Sequence, residues 1–163
     1  MNRSKILDND QIKRKLDRMA RQLLEEHYSE SELILLGVEG GGIQVAKRIE
    51  EILNSISKLP VRFESIKLNK DNPLNSEIVS SYDSESINGK VVVIVDDVLN
   101  SGRTMIHAVK HVLDSEPKGI YTAALVDRIH RSFPVRADYC GLSLSTHINQ
   151  HIKVHKNAVY LEL

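Results

Sequence analysis

Residues 91–105, Val-Val-Val-Ile-Val-Asp-Asp-Val-Leu-Asn-Ser-Gly-Arg-Thr-Met, constrain what this chain can fold into more than any other stretch. An apolar, β-branched run closed by polar turn residues predicts a buried parallel strand. The strand is expected to end at Asp96-Asp97, with a helix from Met105 onward. Both acids then sit at the carboxyl end of a central strand, where open α/β sheets bind ligands. The turn that follows holds a glycine, two hydroxyls and a helix N-terminus, so it can aim backbone N–H donors at a phosphate. Carboxylates for hydroxyls or a hydrated cation at one end, and a phosphate cradle at the other, match the two ends of a sugar phosphate.

The remaining patterns fit one α/β domain over residues 1–163. Residues 9–28 predict an amphipathic helix capped by Asp8 or Asn9, with Ile12, Leu16, Met19, Ala20, Leu23 and Leu24 at 3.6-residue spacing. Its opposite face, Lys13, Arg14, Lys15, Arg18 and Arg21, is expected to be solvated. Leu33–Val38 reads as a buried strand, then Glu39-Gly40-Gly41-Gly42 as a sharp turn, then a helix from Ile43 to about Ile56. A strand is expected from Val61 to Leu68. Residues 69–88 are polar and form a candidate lid. Asn88-Gly89 gives a hairpin-type turn signal. After the signature come a helix to Ser115, a strand from Ile120 to Val126 ending in Asp127-Arg128, and a short strand around Val135 and Ala137 that Asp138–Leu142 could continue. Ile152–Val154 and Ala158–Leu161 read as closing strands. Strands alternating with helices imply a doubly wound, mostly parallel sheet.

Composition narrows the function classes. Basic and acidic residues balance at 22 each, so any nucleic-acid site must be a local patch. No apolar run is long enough to span a bilayer. Met1–Asp8 lacks the apolar core of a signal peptide. The single cysteine, Cys140, excludes an internal disulfide framework and fits a reducing cytoplasm. It is expected to be a buried structural thiol. His147 and His151 have helical spacing, but no third ligand is evident, so no zinc is expected there.

The signature resembles the phosphoribosyl-diphosphate-binding motif of the type I phosphoribosyltransferases: four apolar residues, two acids, two apolar residues, any residue, Ser or Thr, Gly, any residue, Thr or Ser. Every position matches. Further likeness lies in Ile34–Val38, Gly42-Ile43, Ala46–Arg48, Leu125–Arg128, His130-Arg131 and Pro134–Tyr139. There the chain resembles the bacterial pyrimidine-operon attenuator proteins, which are also uracil phosphoribosyltransferases. The resemblance implies a small hood on the α/β core and a homodimer or dimer-based oligomer. It implies transfer of a phosphoribosyl group from phosphoribosyl diphosphate to a nucleobase, with Mg²⁺. Asp96 and Asp97 would contact the ribose hydroxyls and hold the metal through water. Ser101, Gly102, Arg103 and Thr104 would hold the 5′-phosphate. Val98, Leu99, Asn100, Gly40, Gly41, Gly42, Asp127 and Arg128 would complete the substrate site.

Three departures bear on function. Glu39 stands where close relatives carry Lys, so its carboxylate is expected to be neutralised by Mg²⁺ or a lid lysine such as Lys70, or to point away. The lid is short and its cations are few: Lys67, Lys70 and, at its far end, Lys90. Ser143–His147 replaces the family's proline-containing hood loop. Asn100 occupies the place of an Asp that faces the purine N7 in purine-salvage relatives, and an amide cannot serve as a general base. Pyrimidines are favoured. The alternatives are an RNA-binding regulator using His130, Arg131, Arg136 and the basic helix face, with or without catalysis, and a nucleotide sensor without turnover.

Overall fold

A computed structural model of the chain describes residues 2–163. Among the described residues, nine strands and three α-helices follow in the order β1 Arg3–Leu7, α1 Asn9–His27, β2 Leu33–Val38, α2 Gly41–Ile56, β3 Val61–Lys67, β4 Val79–Ser80, β5 Val91–Leu99, α3 Arg103–Val112, β6 Gly119–Asp127, β7 Tyr139–Ser143, β8 His151–His155 and β9 Ala158–Glu162, with a 3₁₀ turn at Ser84–Ile87 before β5. The main sheet runs β4-β3-β2-β5-β6-β7. All its pairings are parallel except that of the edge strand β4. A second, antiparallel sheet, β1-β9-β8, forms the hood.

Side-chain alternation explains the layers. Val91, Val93 and Val95 share one core with Ile12, Leu16 and Leu23 of α1 and Val45, Ile49 and Leu53 of α2. Val92 and Ile94 share the other with Met105, Ala108 and Val112 of α3. A strand buried on both faces must be apolar throughout, which is why β5 reads as a continuous run. The helices therefore cover both faces, and the doubly wound expectation holds.

Strand order also fixes where a ligand can sit. The β2–α2–β3 crossover leads away from β5, and β5–α3–β6 leads the other way. The neighbours β2 and β5 thus flank the topological switch point, where a crevice opens at the carboxyl ends. Glu39–Gly42 follows β2 there, and Asp96–Thr104 closes β5 there.

Several boundaries differ from expectation. β5 does not stop at the acids but continues to Leu99, because Asp96, Val98 and Leu99 still pair with β6. α2 starts at Gly41 and α3 at Arg103, two residues before the apolar periodicity begins in each case. No hairpin joins at Asn88-Gly89. Gly89 does turn with φ +71°, but β5 pairs with β2 and β6 and not with the preceding β4. Residues 134–138 are not a strand, and β7 begins at Tyr139. β1, mostly exposed, had no sequence signal and is held by pairing with β9. Only part of the 69–88 segment crosses the crevice. β4 docks on β3, while Tyr82 and Ile87 enter the second core.

α1 is capped by Asp8, whose side chain accepts from Gln11 N while Asp8 N donates to Gln11 Oε1. Such a box is worth about 1 kcal/mol. Its basic face is not all solvated. Arg18 Nη2 donates to the carbonyls of Cys140 (3.1 Å) and Gly141 (2.8 Å), tying α1 to the edge strand β7. Cys140 itself is only half-buried, since β7 has no outer neighbour in its sheet. His27, at the end of the helix, is buried and its Nε2 lies 2.9 Å from Tyr139 Oη. Burial holds its pKa below 6.5, against the pull of Glu26 and Glu30.

Candidate active site

The two acids of β5 are divided between neighbours. Asp96 is buried and lines a cavity of about 370 Å³ with Lys70, Asp71 and residues 98–105. Asp97 is not part of that lining. It faces Gly41, where an added Cβ would fall within 2.0 Å of Asp97 Oδ2. Consecutive strand residues point apart, so adjacent acids reach different partners. The carboxylates also fold back on the chain: Asp96 Oδ1 accepts from Asp97 N and Asp97 Oδ1 from Val98 N, each at 2.8 Å. Burial, and next the Asp97 carboxylate, pushes the Asp96 pKa up to about 7, with Lys70 opposing. Lys70 Nζ lies 3.5 Å from Asp96 Oδ1.

The end of β5 and the turn after it line the same cavity. Val98, Leu99, Asn100, Ser101, Gly102, Arg103 and Thr104 all line it, and Met105 joins them. Gly102 is required twice over. Its φ of +88° suits glycine, and a Cβ there would meet Val135 Cγ1 at 2.7 Å. It is the N-cap of α3 and supplies no side-chain bond to the first helical N–H groups. Arg103 N donates to Ser101 Oγ at 3.3 Å, and the first residues of α3 line the cavity, so the helix N-terminus lies where an anionic ligand would be favoured. Arg103 Nη1 donates to Asp71 O at 3.2 Å, fastening the lid segment over the cavity.

The glycine turn after β2 supports the acids from the side. Gly40 has φ +99°, and a Cβ on Gly42 would meet Val95 O at 2.5 Å. Gly41 borders a separate groove of about 760 Å³ with Lys47, Arg48 and Lys156. Glu39 is half-exposed and pairs with Lys67 at 3.8 Å. Lys70, the expected partner, instead meets Asp96, and Lys90 lies at the amino end of β5 bonded to Ser31 Oγ.

Asp127 ends β6 beside the signature turn and Arg128 follows it, Arg128 N donating to Leu99 O at 3.1 Å. Asp127 is buried in a pair with Arg131 (2.5 Å) and accepts from Ile129 N (2.9 Å). Arg128 reaches the other way. Its Nη1 donates to Asn100 Oδ1 at 3.0 Å and its Nε to Thr146 Oγ1 at 2.9 Å. A second cavity of about 390 Å³ lies here, lined by Asn100, Ser101, Arg128, His130, Arg131, Ser132 and Ile148. The hood-loop partners of Arg128, and Ile129 with φ +64°, were not legible in the sequence. A left-handed β-branched residue carries no local signal. Among the described residues, no group of three or more His, Cys, Asp or Glu is arranged to hold a metal.

A carboxylate and a phosphate-type turn at the switch point of a doubly wound sheet define an α/β enzyme acting on a sugar phosphate or nucleotide. The phosphoribosyl transferase domain model matches residues 2–158, and the chain belongs to that family. It is a phosphoribosyltransferase. It is 37% identical over 171 residues to the Bifunctional protein PyrR of Alkaliphilus metalliredigens, covering 96% of this chain and 93% of that one. The protein of the same name from Staphylococcus epidermidis is 35% identical, with 96% and 97% covered. The solved hypoxanthine phosphoribosyltransferase of Trypanosoma cruzi superposes with a TM-score of 0.75 at 20% identity, over 91% of this chain and 84% of that one, a likeness of fold.

Proposed function

We propose that this chain, as one domain, transfers the 5-phosphoribosyl group from phosphoribosyl diphosphate to a pyrimidine, uracil foremost. The carrying observation is that Asp96 and the turn Ser101–Thr104 line one and the same cavity. A ribose 5-phosphate placed there has its hydroxyls at the acid and its phosphate at the α3 N-terminus. The C1–O bond to pyrophosphate breaks and a C1–N bond to the base forms. Pyrophosphate leaves with the electron pair, and the base nitrogen gives its proton to solvent. The protein's part is positioning and charge placement.

The donor chemistry fits Mg²⁺. Asp96 and Asp97 are hard oxygen ligands, and Asp96, buried and reluctant to ionise, already draws the Lys70 ammonium. With so few carboxylates the ion would be held largely through substrate oxygens and water. When bound it supplies positive charge against the departing pyrophosphate. Lys70 lies between Asp96 and the glycine turn: its Nζ is 3.5 Å from Asp96 Oδ1, and a Cβ added to Gly40 would sit 4.0 Å from it.

The test is pyrophosphate release from phosphoribosyl diphosphate and Mg²⁺ with uracil, orotate, cytosine, hypoxanthine, guanine, adenine and xanthine. Uracil should be the best acceptor; turnover with none of them would leave the readings without catalysis, the RNA-binding regulator and the nucleotide sensor. RNA binding is the second reading. Lys13, Arg14 and Arg136 are exposed, whereas Arg131 and His130 are committed to Asp127 and Thr146. Any RNA site would therefore be a local patch completed across a dimer, and salt-sensitive RNA retention checks it. We place the protein in the cytoplasm; no helix among the described residues is long and apolar enough to cross a membrane.

A further inference from the structure

The second cavity is organised by one side chain. Arg128 donates from Nη1 to Asn100 Oδ1 (3.0 Å), from Nε to Thr146 Oγ1 (2.9 Å), and from Nη2 to the carbonyls of His147 (3.3 Å) and Gln150 (2.7 Å). A guanidinium has donors only, so the Asn100 atom facing it is the amide oxygen. The amide nitrogen is thereby turned the other way. Asn100 is exposed and lines both cavities, standing where the sugar-phosphate end meets the second chamber. Its two N–H donors have no protein partner among the described residues.

His130 borders the same chamber, with its Nε2 against the carbonyl of Thr146. A carbonyl only accepts, so a neutral imidazole keeps its proton on Nε2 and leaves Nδ1 as an acceptor. A residue with a free amide N–H₂ and one with a free ring acceptor therefore line one chamber. The complementary ligand edge is a carbonyl beside a ring N–H. Uracil carries that edge. Cytosine presents the reverse, an amino group beside a bare ring nitrogen.

The loop that supplies these groups is held against strain. Ile129, between Arg128 and His130, is 55% exposed and has φ +64°. A β-branched residue in that conformation is strained and persists only where its surroundings enforce it. Asp127 fixes its N–H, and both flanking side chains bond the hood loop.

We infer that Arg128 is the positioning residue of the base chamber, presenting the Asn100 amide as a donor and holding residues 146–150 over it, so that keto bases are accepted and amino bases rejected. This rests on the proposed phosphoribosyl transfer. Calorimetry with ribose 5-phosphate, UMP and CMP in the presence of Mg²⁺ separates the two. The wild type should bind UMP about tenfold or more tighter than CMP, the scale of one matched against one frustrated hydrogen bond. Asn100→Asp replaces the donor by an acceptor and should bring the two nucleotides within about threefold of each other. Arg128→Gln should weaken UMP about tenfold while ribose 5-phosphate changes little. Arg128→Lys should not rescue it, because an ammonium cannot span four acceptors in a plane. An unchanged UMP-to-CMP ratio in Asn100→Asp, with ribose 5-phosphate still bound, overturns this inference alone. Failure of the wild type to bind ribose 5-phosphate overturns the phosphoribosyl reading, and this inference with it.

Discussion

Asp96→Asn tests the acid at the centre of the crevice. The side chain is buried, and its pKa is raised from 3.8 to about 7 by desolvation and by Asp97. The unfolded chain ionises Asp96 near pH 4, while the metal-free native state keeps its proton until about pH 7. Between those values the unfolded state binds fewer protons, so the stability contributed by this group falls as pH rises. The gap, at ~1.4 kcal/mol per pH unit, sets a ceiling of about 4 kcal/mol on the cost of the ionised form. Asparagine is nearly isosteric with the protonated acid, and its Oδ1 can still accept from Asp97 N. Urea unfolding with a chelator present should therefore show wild type and variant equally stable near pH 4. By pH 8 the variant should be more stable by about 2–4 kcal/mol, since it carries no buried charge. Ribose 5-phosphate affinity in Mg²⁺ should fall in the same variant. A stability difference that does not change between pH 4 and 8 would refute the reasoning.

Gly102→Val combines a left-handed φ of +88° with a Cβ 2.7 Å from Val135 Cγ1. It should cost about 1–3 kcal/mol of stability and weaken UMP far more than uridine; equal losses for both ligands would mean the turn does not read the phosphate. Glu39→Lys breaks only an exposed pair with Lys67, so stability should shift by less than about 1 kcal/mol. Its pyrophosphate affinity should rise at low salt and lose the gain at high salt; no gain at low salt would place Glu39 outside the site. His27, held below its usual pKa by burial, contributes stability that is present above pH 6.5 and lost as pH falls through the lowered value. Thermal melts of His27→Gln across pH 4.5–8 should lack that acid-side loss, and a profile parallel to wild type would discount it.

The sequence by itself determined the elements whose burial is complete. Val91–Val95 is apolar on both faces, so it could only be a central parallel strand. The acids and the glycine turn then had to fall at its carboxyl end, and Ile12, Leu16 and Leu23 had to face the sheet. These are local consequences of side-chain period, turn chemistry and capping, and they made the turn from Ser101 to Thr104 legible. Pairings between distant segments were not local. β1 carries too few buried residues to announce itself and exists because β9 lies beside it. Lys70 looked like a partner for Glu39 but meets Asp96, because the path of the lid decides which carboxylate it reaches. Arg128 could be placed at the crevice from its strand end, yet its grip on Asn100 and the hood loop depends on residues 18 to 22 positions away and 28 positions back. Periodicity reports which face a residue buries. Only the assembled chain decides which polar groups meet at the carboxyl ends, since hydrogen bonds across a crevice join segments that share no local pattern.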